Sequence, residues 1–287
     1  MCIRDSDFTA PPAAAESVKK SMEINDAGYT FSQGLEELRI DIAKKYANDY
    51  GVKILPEQVL VSNGSSLLLY LAIRILAPPG SQVILTDPCY ACYENVVRLA
   101  GAEPVMIKLR HEDGFQLNVD DLKKRVTPKT RAMLINSPMN PTGVVFSSEV
   151  MTALAELDIP IISDEIYADL SFEDPPCSFL SYSPQTVAIH GFSKSYAMTG
   201  WRLGYMITPL EWMSAADRLH QNLMISATEF VQEAGIWVLQ KSKAYCESMK
   251  TEFNRRRLFV LERMRELGMD LGSVSYTHLT LPTSDLV

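Results

Sequence analysis

The stretch AMLINSPMNPTGVVFSSEVMTALAELDIPIISDEIY, residues 132–167, decides the fold. It opens on a continuous apolar run, Ala132–Asn136, and passes through a turn with two prolines and a glycine. A helical segment, SSEVMTALAEL, then leads to a second apolar run, Ile159–Ser163. Short apolar runs without alternation are what strands look like when helices cover both faces of a sheet. Three more runs of this kind occur at Val83–Asp87, Val187–His190 and Leu203–Ile207. A further helix, SSLLLYLAIRIL, follows Val61-Ser62-Asn63-Gly64. Strands alternating with helices predict an α/β fold with a mostly parallel sheet sandwiched by helices and right-handed connections.

Two flanking segments read as amphipathic helices. In GLEELRIDIAKKYANDYG, Leu35, Leu38, Ile42, Tyr46 and Tyr50 recur at three and four residues, with Gly51 at the stop position. In KSKAYCESMKTEFNRRRLFVLERMRELG, the residues Cys246, Met249, Phe253, Val260, Met264 and Leu267 mark one face of a long helix.

The 287 residues are 47% hydrophobic and 22% charged, with a formal net charge of -8. This is an ordinary globular balance, enough for one large domain with or without a smaller one. The acidic balance argues against a nucleic-acid partner, which wants a basic face. No apolar run reaches the roughly 20 residues of a membrane helix, and no secretory h-region opens the chain. The five cysteines, Cys2, Cys89, Cys92, Cys177 and Cys246, do not form a disulfide framework, and a reducing cytoplasm suits them. Cys89 and Cys92 form one C-x-x-C without a second pair, so no metal site is expected.

The two ends read as foreign to the protein. Met1 to Asp5 can be encoded ATG TGT ATA AGA GAC, whose reverse complement encodes Val274-Ser275-Tyr276-Thr277-His278. Inverted repeats at opposite ends resemble a sequencing-library adapter translated by mistake. Residues 1–6 and 273–287 are therefore set aside, with Cys2 and His278. Authentic sequence is expected from about Asp7 to about Gly272, with both natural termini missing.

In open α/β sheets, ligands bind beyond the carboxyl ends of the strands. Asn63-Gly64-Ser65-Ser66 runs from one strand end into a helix, where free N–H groups attract an anion such as phosphate. Asn140 is bracketed by Pro138 and Pro141 in a stiff turn, which suits either a plain turn or ligand contact. Asp164 ends another run, where a carboxylate beside apolar residues is costly unless paired. Tyr167 follows it closely, and Lys194 and Arg202 follow Val187–His190. A lysine can bond an aldehyde cofactor, a carboxylate can hold a pyridine nitrogen protonated, and N–H groups with a fork-shaped cation can hold a phosphate.

The motifs YTFSQGLEELR, DPCYACYENVVRLAGAEPV, NSPMNPTG, SDEIY and GFSKSYAMTGWRLGY, in this order, resemble those of the fold-type I pyridoxal-phosphate aminotransferases of class I/II, the aspartate aminotransferase kind. The resemblance covers nearly all of residues 7–272. It implies pyridoxal 5'-phosphate as cofactor, with Lys194 carrying the Schiff base and moving the substrate α-proton. It also implies Asp164 on the pyridine nitrogen, Tyr167 and Asn140 on the phenolic oxygen, and Tyr90 stacked on the ring. Gly64, Ser65, Ser66 and Arg202 match the phosphate cup, and Ser193 suits either a further phosphate contact or a turn. Tyr29 matches a tyrosine reaching the phosphate of a neighbouring subunit, hence a homodimer. The expected domains are an N-terminal segment (7–27), a cofactor-binding large domain (28–240), and a long helix (241–272) entering an incomplete smaller domain.

The function implied is a ping-pong transfer of an amino group from an L-amino acid to a 2-oxo acid. A C–S or β-lyase on the same scaffold, a cofactor-binding regulatory module and an inactive truncated fragment are alternatives. The family's arginine for the substrate carboxylate is expected beyond Gly272, so the choice of amino acid and oxo acid stays open. One departure stands out. Many members carry serine three residues before the lysine, where this chain has Gly191. A lost hydrogen bond to a charged phosphate costs about 1.5–3 kcal/mol.

Overall fold

Every residue of the strand Thr130–Asn136 except Arg131 is buried, so both faces of the sheet lie under helices. The computed structural model describes residues 7–24, 28–172 and 177–268; the two tails read as adapter, and the end of the long-helix segment beyond 268, lie outside them. In chain order the elements are α1 (Pro12–Ile24), α2 (Glu36–Asp49), β1 (Val59–Ser62), α3 (Ser65–Leu76), β2 (Gln82–Asp87), α4 (Cys92–Leu99), β3 (Glu103–Lys108), α5 (Val119–Arg125), β4 (Thr130–Asn136), α6 (Ser148–Ala155), β5 (Ile161–Asp164), β6 (Thr186–Gly191), β7 (Gly204–Ile207), α7 (Leu210–Met224), α8 (Glu229–Lys241) and α9 (Lys243–Glu266).

The strands form one sheet in the order β1-β7-β6-β5-β4-β2-β3. The pairs β2–β3, β2–β4, β4–β5 and β5–β6 are parallel, while β7 runs antiparallel to both β6 and β1. Successive side chains of a strand point to opposite faces. Accordingly Leu60, Ala132, Leu134, Ile162, Val187, Ile189 and Met206 pack with α3, α4 and α7 on one face. On the other face Val59, Val61, Ala188, Tyr205 and Ile207 pack with α1, α2 and α8. Met133, Ile135 and Ile161 pack there with α5 and α6. Each fully buried leucine-sized side chain stabilises the fold by about 1.5–3 kcal/mol.

All five apolar runs are strands, to within two residues at each end. The helix expected after Gly64 spans Ser65–Leu76. Strand β3 was not expected, because it is an edge strand with only Ile107 fully buried and lacks a continuous apolar run. Helix α1, also unexpected, packs along α8. The face expected of α9 needs correction. Met249 is buried, but Leu267 is 72% exposed, and Arg257 and Leu261 are interior instead. An arginine fits there because its guanidinium lies over the Phe172 ring, 5.3 Å from the centroid, while its stem packs as an apolar chain.

The register brings the functional strand ends to one edge. Asn136 of β4 faces Asp164 of β5, and Asp164 faces Ile189 of β6. Gly204, the first residue of antiparallel β7, faces both Gly191 of β6 and Ser62 of β1. The turn before β7 therefore emerges beside the start of α3.

Candidate active site

The cradle at the head of α3 is built by glycines. Gly64 adopts φ 94°, a left-handed value that favours glycine. A Cβ on Gly64 would stand 2.5 Å from Arg202 Nη2, so the guanidinium lies directly against that bare backbone. A Cβ on Gly204 would meet the Gly64 carbonyl carbon and the Ser65 nitrogen at 2.8 Å. Two glycines thus let β7 and the helix start approach until the Arg202 guanidinium lies against Gly64, at the head of α3. Arg202 itself sits at φ 57° and donates from Nη1 to the Thr199 carbonyl at 2.9 Å. Its side chain is exposed, Ser65 is half-buried and Ser66 is exposed, so the cradle opens outward. Helix N-terminus and guanidinium together present positive potential to an anion.

Further along the edge, Asp164 is buried. Tyr93 Oη donates to Asp164 Oδ2 at 2.7 Å and the Ile166 N–H donates to Oδ1 at 3.2 Å. Burial pushes its carboxyl up to about 6, against the lowering effect of those two hydrogen bonds and of the Lys194 charge. Asn136 ties the neighbouring strand in. Its Nδ2 donates to the Asp164 carbonyl at 2.8 Å, and its Oδ1 accepts from the Asn140 N–H at 2.7 Å. Asn140 Nδ2 then donates to Tyr167 Oη at 3.3 Å. Lys194, half-buried in the turn after β6, holds its Nζ over the Tyr167 ring, 5.8 Å from the centroid.

The structure thus brings Asp164, Tyr167, Asn140 and Lys194 together, and Gly64, Ser65 and Arg202 together on the same edge. Tyr90 joins the first group through Tyr93, its ring 5.5 Å away and edge-on. Ser193 is half-buried beside Lys194. Tyr29 stands apart, 83% exposed. Its segment is anchored by buried Gln232, whose Nε2 donates to Thr30 Oγ1 at 3.0 Å and whose Oε1 accepts from the Leu35 N–H at 2.8 Å.

The model of the family "Aminotransferase class I and II" matches residues 1–280. The chain belongs to the class I and II aminotransferases. It is 36% identical over 285 residues to the (5-formylfuran-3-yl)methyl phosphate transaminase of Methanocaldococcus jannaschii, covering 98% of this chain and 75% of that protein. It is 33% identical to an aspartate aminotransferase of Pyrococcus horikoshii, covering 92% of this chain and 70% of that protein. The structure of Thermus thermophilus aspartate aminotransferase with maleate superposes with a TM-score of 0.90 at 32% identity, covering 93% of this chain and 72% of that one.

The residues of this aminotransferase fit the cofactor that the family implies. The Gly64 cradle is a space a Cβ would fill, and it faces a guanidinium as a phosphate requires. Asp164 is a buried carboxylate whose ionised form is disfavoured until a cation such as a ring N–H⁺ meets it. Gly191 also gains a physical reason. A Cβ there would come within 3.0 Å of the Gly204 Cα and the Leu203 carbonyl, so a serine would require backbone to give by a few tenths of an ångström. Sequence reasoning missed Tyr93 and Asn136, which position Asp164 and Asn140. Tyr93 carried one usable signal: it lies one turn of helix after Tyr90, on α4 beside β2. Among the described residues, Cys89, Cys92, Cys177 and Cys246 are unpaired, and no helix is long and apolar enough to cross a membrane.

Proposed function

We propose that this aminotransferase uses pyridoxal 5'-phosphate to move an amino group from an L-amino acid to a 2-oxo acid in two half-reactions. One observation carries the reading. A single sheet edge presents an anion cradle at Gly64 and Arg202, a lysine at the end of β6, and a buried carboxylate at the end of β5. When bound, the cofactor supplies an electron sink that stabilises charge released at the substrate α-carbon.

The residues divide the remaining work. The N–H groups at the head of α3, with the hydroxyls of Ser65, Ser66 and Ser193, and the Arg202 fork hold the phosphate. Asp164 pairs with the ring nitrogen, and Tyr93 keeps the carboxylate facing it. Asn140 and Tyr167, already in contact, meet the phenolic oxygen. Tyr90 covers the ring. Lys194 would hold the cofactor's aldehyde, and its Nζ would take and return the proton at the substrate α-carbon. The exposed rings of Tyr29 and Phe31 support a contact with a second copy, in which Tyr29 reaches the partner's phosphate. Among the described residues the four cysteines are unpaired, which supports a reducing compartment, the cytoplasm.

The test is to supply amino acids and 2-oxo acids pairwise to protein loaded with cofactor and to look for a new amino acid. Ammonia and pyruvate released from cystathionine, without transfer, would reject the transferase reading in favour of a lyase.

A further inference from the structure

The segment that carries Asp164 and Tyr167 also carries two carboxylates on the far side of the sheet. Alternation along the strand sends Asp164 toward α4 and Glu165 toward α2. Glu165 is only 1% exposed. Its Oε1 accepts from Ser163 Oγ at 2.9 Å, Ser178 Oγ at 3.0 Å and the Phe179 N–H at 2.9 Å. Its Oε2 accepts from Tyr46 Oη at 3.2 Å. Four residues on, Asp169 Oδ1 accepts from Lys45 Nζ at 2.8 Å and Tyr50 Oη at 2.5 Å. Lys45 is further paired with Asp49 at 2.7 Å. Lys45, Tyr46, Asp49 and Tyr50 occupy one turn of α2 and its C-terminal cap. Between the two carboxylates the chain makes tight turns, with the Ala168 N–H donating to the Glu165 carbonyl and the Leu170 N–H to the Tyr167 carbonyl, both at 2.9 Å.

We propose that Glu165 and Asp169 are positioning residues, two carboxylates by which α2 clamps the Asp164–Tyr167 segment in register with the cofactor site. Burying carboxylates is a costly way to fasten a loop, and apolar packing would hold it as firmly. What the carboxylates add is direction. Each accepts from several donors at fixed angles, so the segment has one seating rather than several. A site of this kind needs its groups held within about 0.5 Å. Asp164 and Tyr167 lie next to Glu165 and two residues before Asp169, so a slip at either anchor moves both.

The inference rests on the proposed cofactor, and the experiment separates the two. The protein is loaded with pyridoxal phosphate. Its dissociation constant, its visible circular dichroism per bound cofactor and its thermal midpoint are then measured. Glu165→Ala is expected to weaken binding about ten- to hundredfold, the range known for outer-shell partners at metal sites, and to lower the ellipticity of the bound chromophore. Glu165→Gln keeps an acceptor for the three Oε1 donors, and its amide can donate to Tyr46 Oη, so it should restore both readings. Tyr46→Phe and Tyr50→Phe together remove one donor from each carboxylate without opening a cavity. They should lower the ellipticity in the same direction, which keeps the test valid if Glu165→Ala does not fold. Unchanged ellipticity and affinity in the double tyrosine variant, or a Gln variant as impaired as Ala, would overturn the clamp alone. A wild-type protein that forms no visible chromophore would overturn the cofactor reading and the clamp with it.

Discussion

Replacing Asp164 with asparagine should stabilise the cofactor-free protein at pH 8 while weakening its hold on the cofactor. Burial lifts the Asp164 carboxyl from 3.8 to about 6. At about 1.4 kcal/mol per tenfold change, the ionised folded form is disfavoured by about 3 kcal/mol well above pH 6. The folded state binds this proton more tightly than the unfolded chain, so the penalty grows as pH rises from about 4 to 6 and is nearly absent below pH 4. Asparagine has no charge to bury. Its oxygen can still accept from Tyr93, but its amide hydrogens need partners, and leaving them without any costs about 1–3 kcal/mol. The variant should therefore be about 1 kcal/mol more stable than the wild type at pH 8 and about 0.5 kcal/mol less stable at pH 5, where half the aspartate penalty has gone. Urea unfolding of both cofactor-free proteins at the two pH values measures this. A stability difference that is the same at pH 8 and pH 5 would refute the argument that Asp164 is a carboxylate held in an unfavourable state for the cofactor's sake.

Two further outcomes follow from the same geometry. Gly64→Ala places a Cβ 2.5 Å from Arg202 Nη2 at a φ of 94°, so it should displace the guanidinium and raise the dissociation constant for pyridoxal phosphate, with a backbone cost of about 1–3 kcal/mol. Fluorescence titration with cofactor and a urea melt measure the two effects. Lys45→Met leaves Asp169, half-buried, without its nearest cation and should cost about 1–3 kcal/mol in a denaturant melt. Burial would raise the Asp169 carboxyl, but Lys45, then His190 and the hydrogen bonds from Lys45 and Tyr50, hold it far below its ordinary value. The wild-type pair therefore stabilises above about pH 4 and loses that contribution as pH falls further, and the Met variant should lose this acid sensitivity.

The buried strands could be read from the chain because helices cover both faces and leave continuous apolar runs, as in Ala132–Asn136. Edge strand β3 lacks that signal, since Pro104, Val105 and Met106 are only half-buried. The reversed direction of β7 could not be read either, because an apolar run does not record which way its strand points. Yet that reversal is what carries Arg202 to the head of α3. Residues that touch the cofactor in the proposed reading stand at strand ends beside glycine and proline, where local sequence is distinctive. Those that hold them, Tyr93, Asn136 and Glu165, act through contacts such as Tyr93 to Asp164, 71 residues apart, and Tyr46 to Glu165, 119 residues apart. Their partners are set by the fold rather than by spacing. On α9, amphipathic counting misplaced the interior face because an arginine stem, Arg257, packs there as an apolar chain.

Lys194 is proposed as the residue that bonds the cofactor. The protein equilibrated with pyridoxal phosphate is reduced with borohydride, digested, and its peptides weighed. The pyridoxyl group is expected on the peptide containing Lys194, with the Schiff-base band lost in Lys194→Ala. Stable attachment at another lysine, or an unchanged band in the variant, would contradict it.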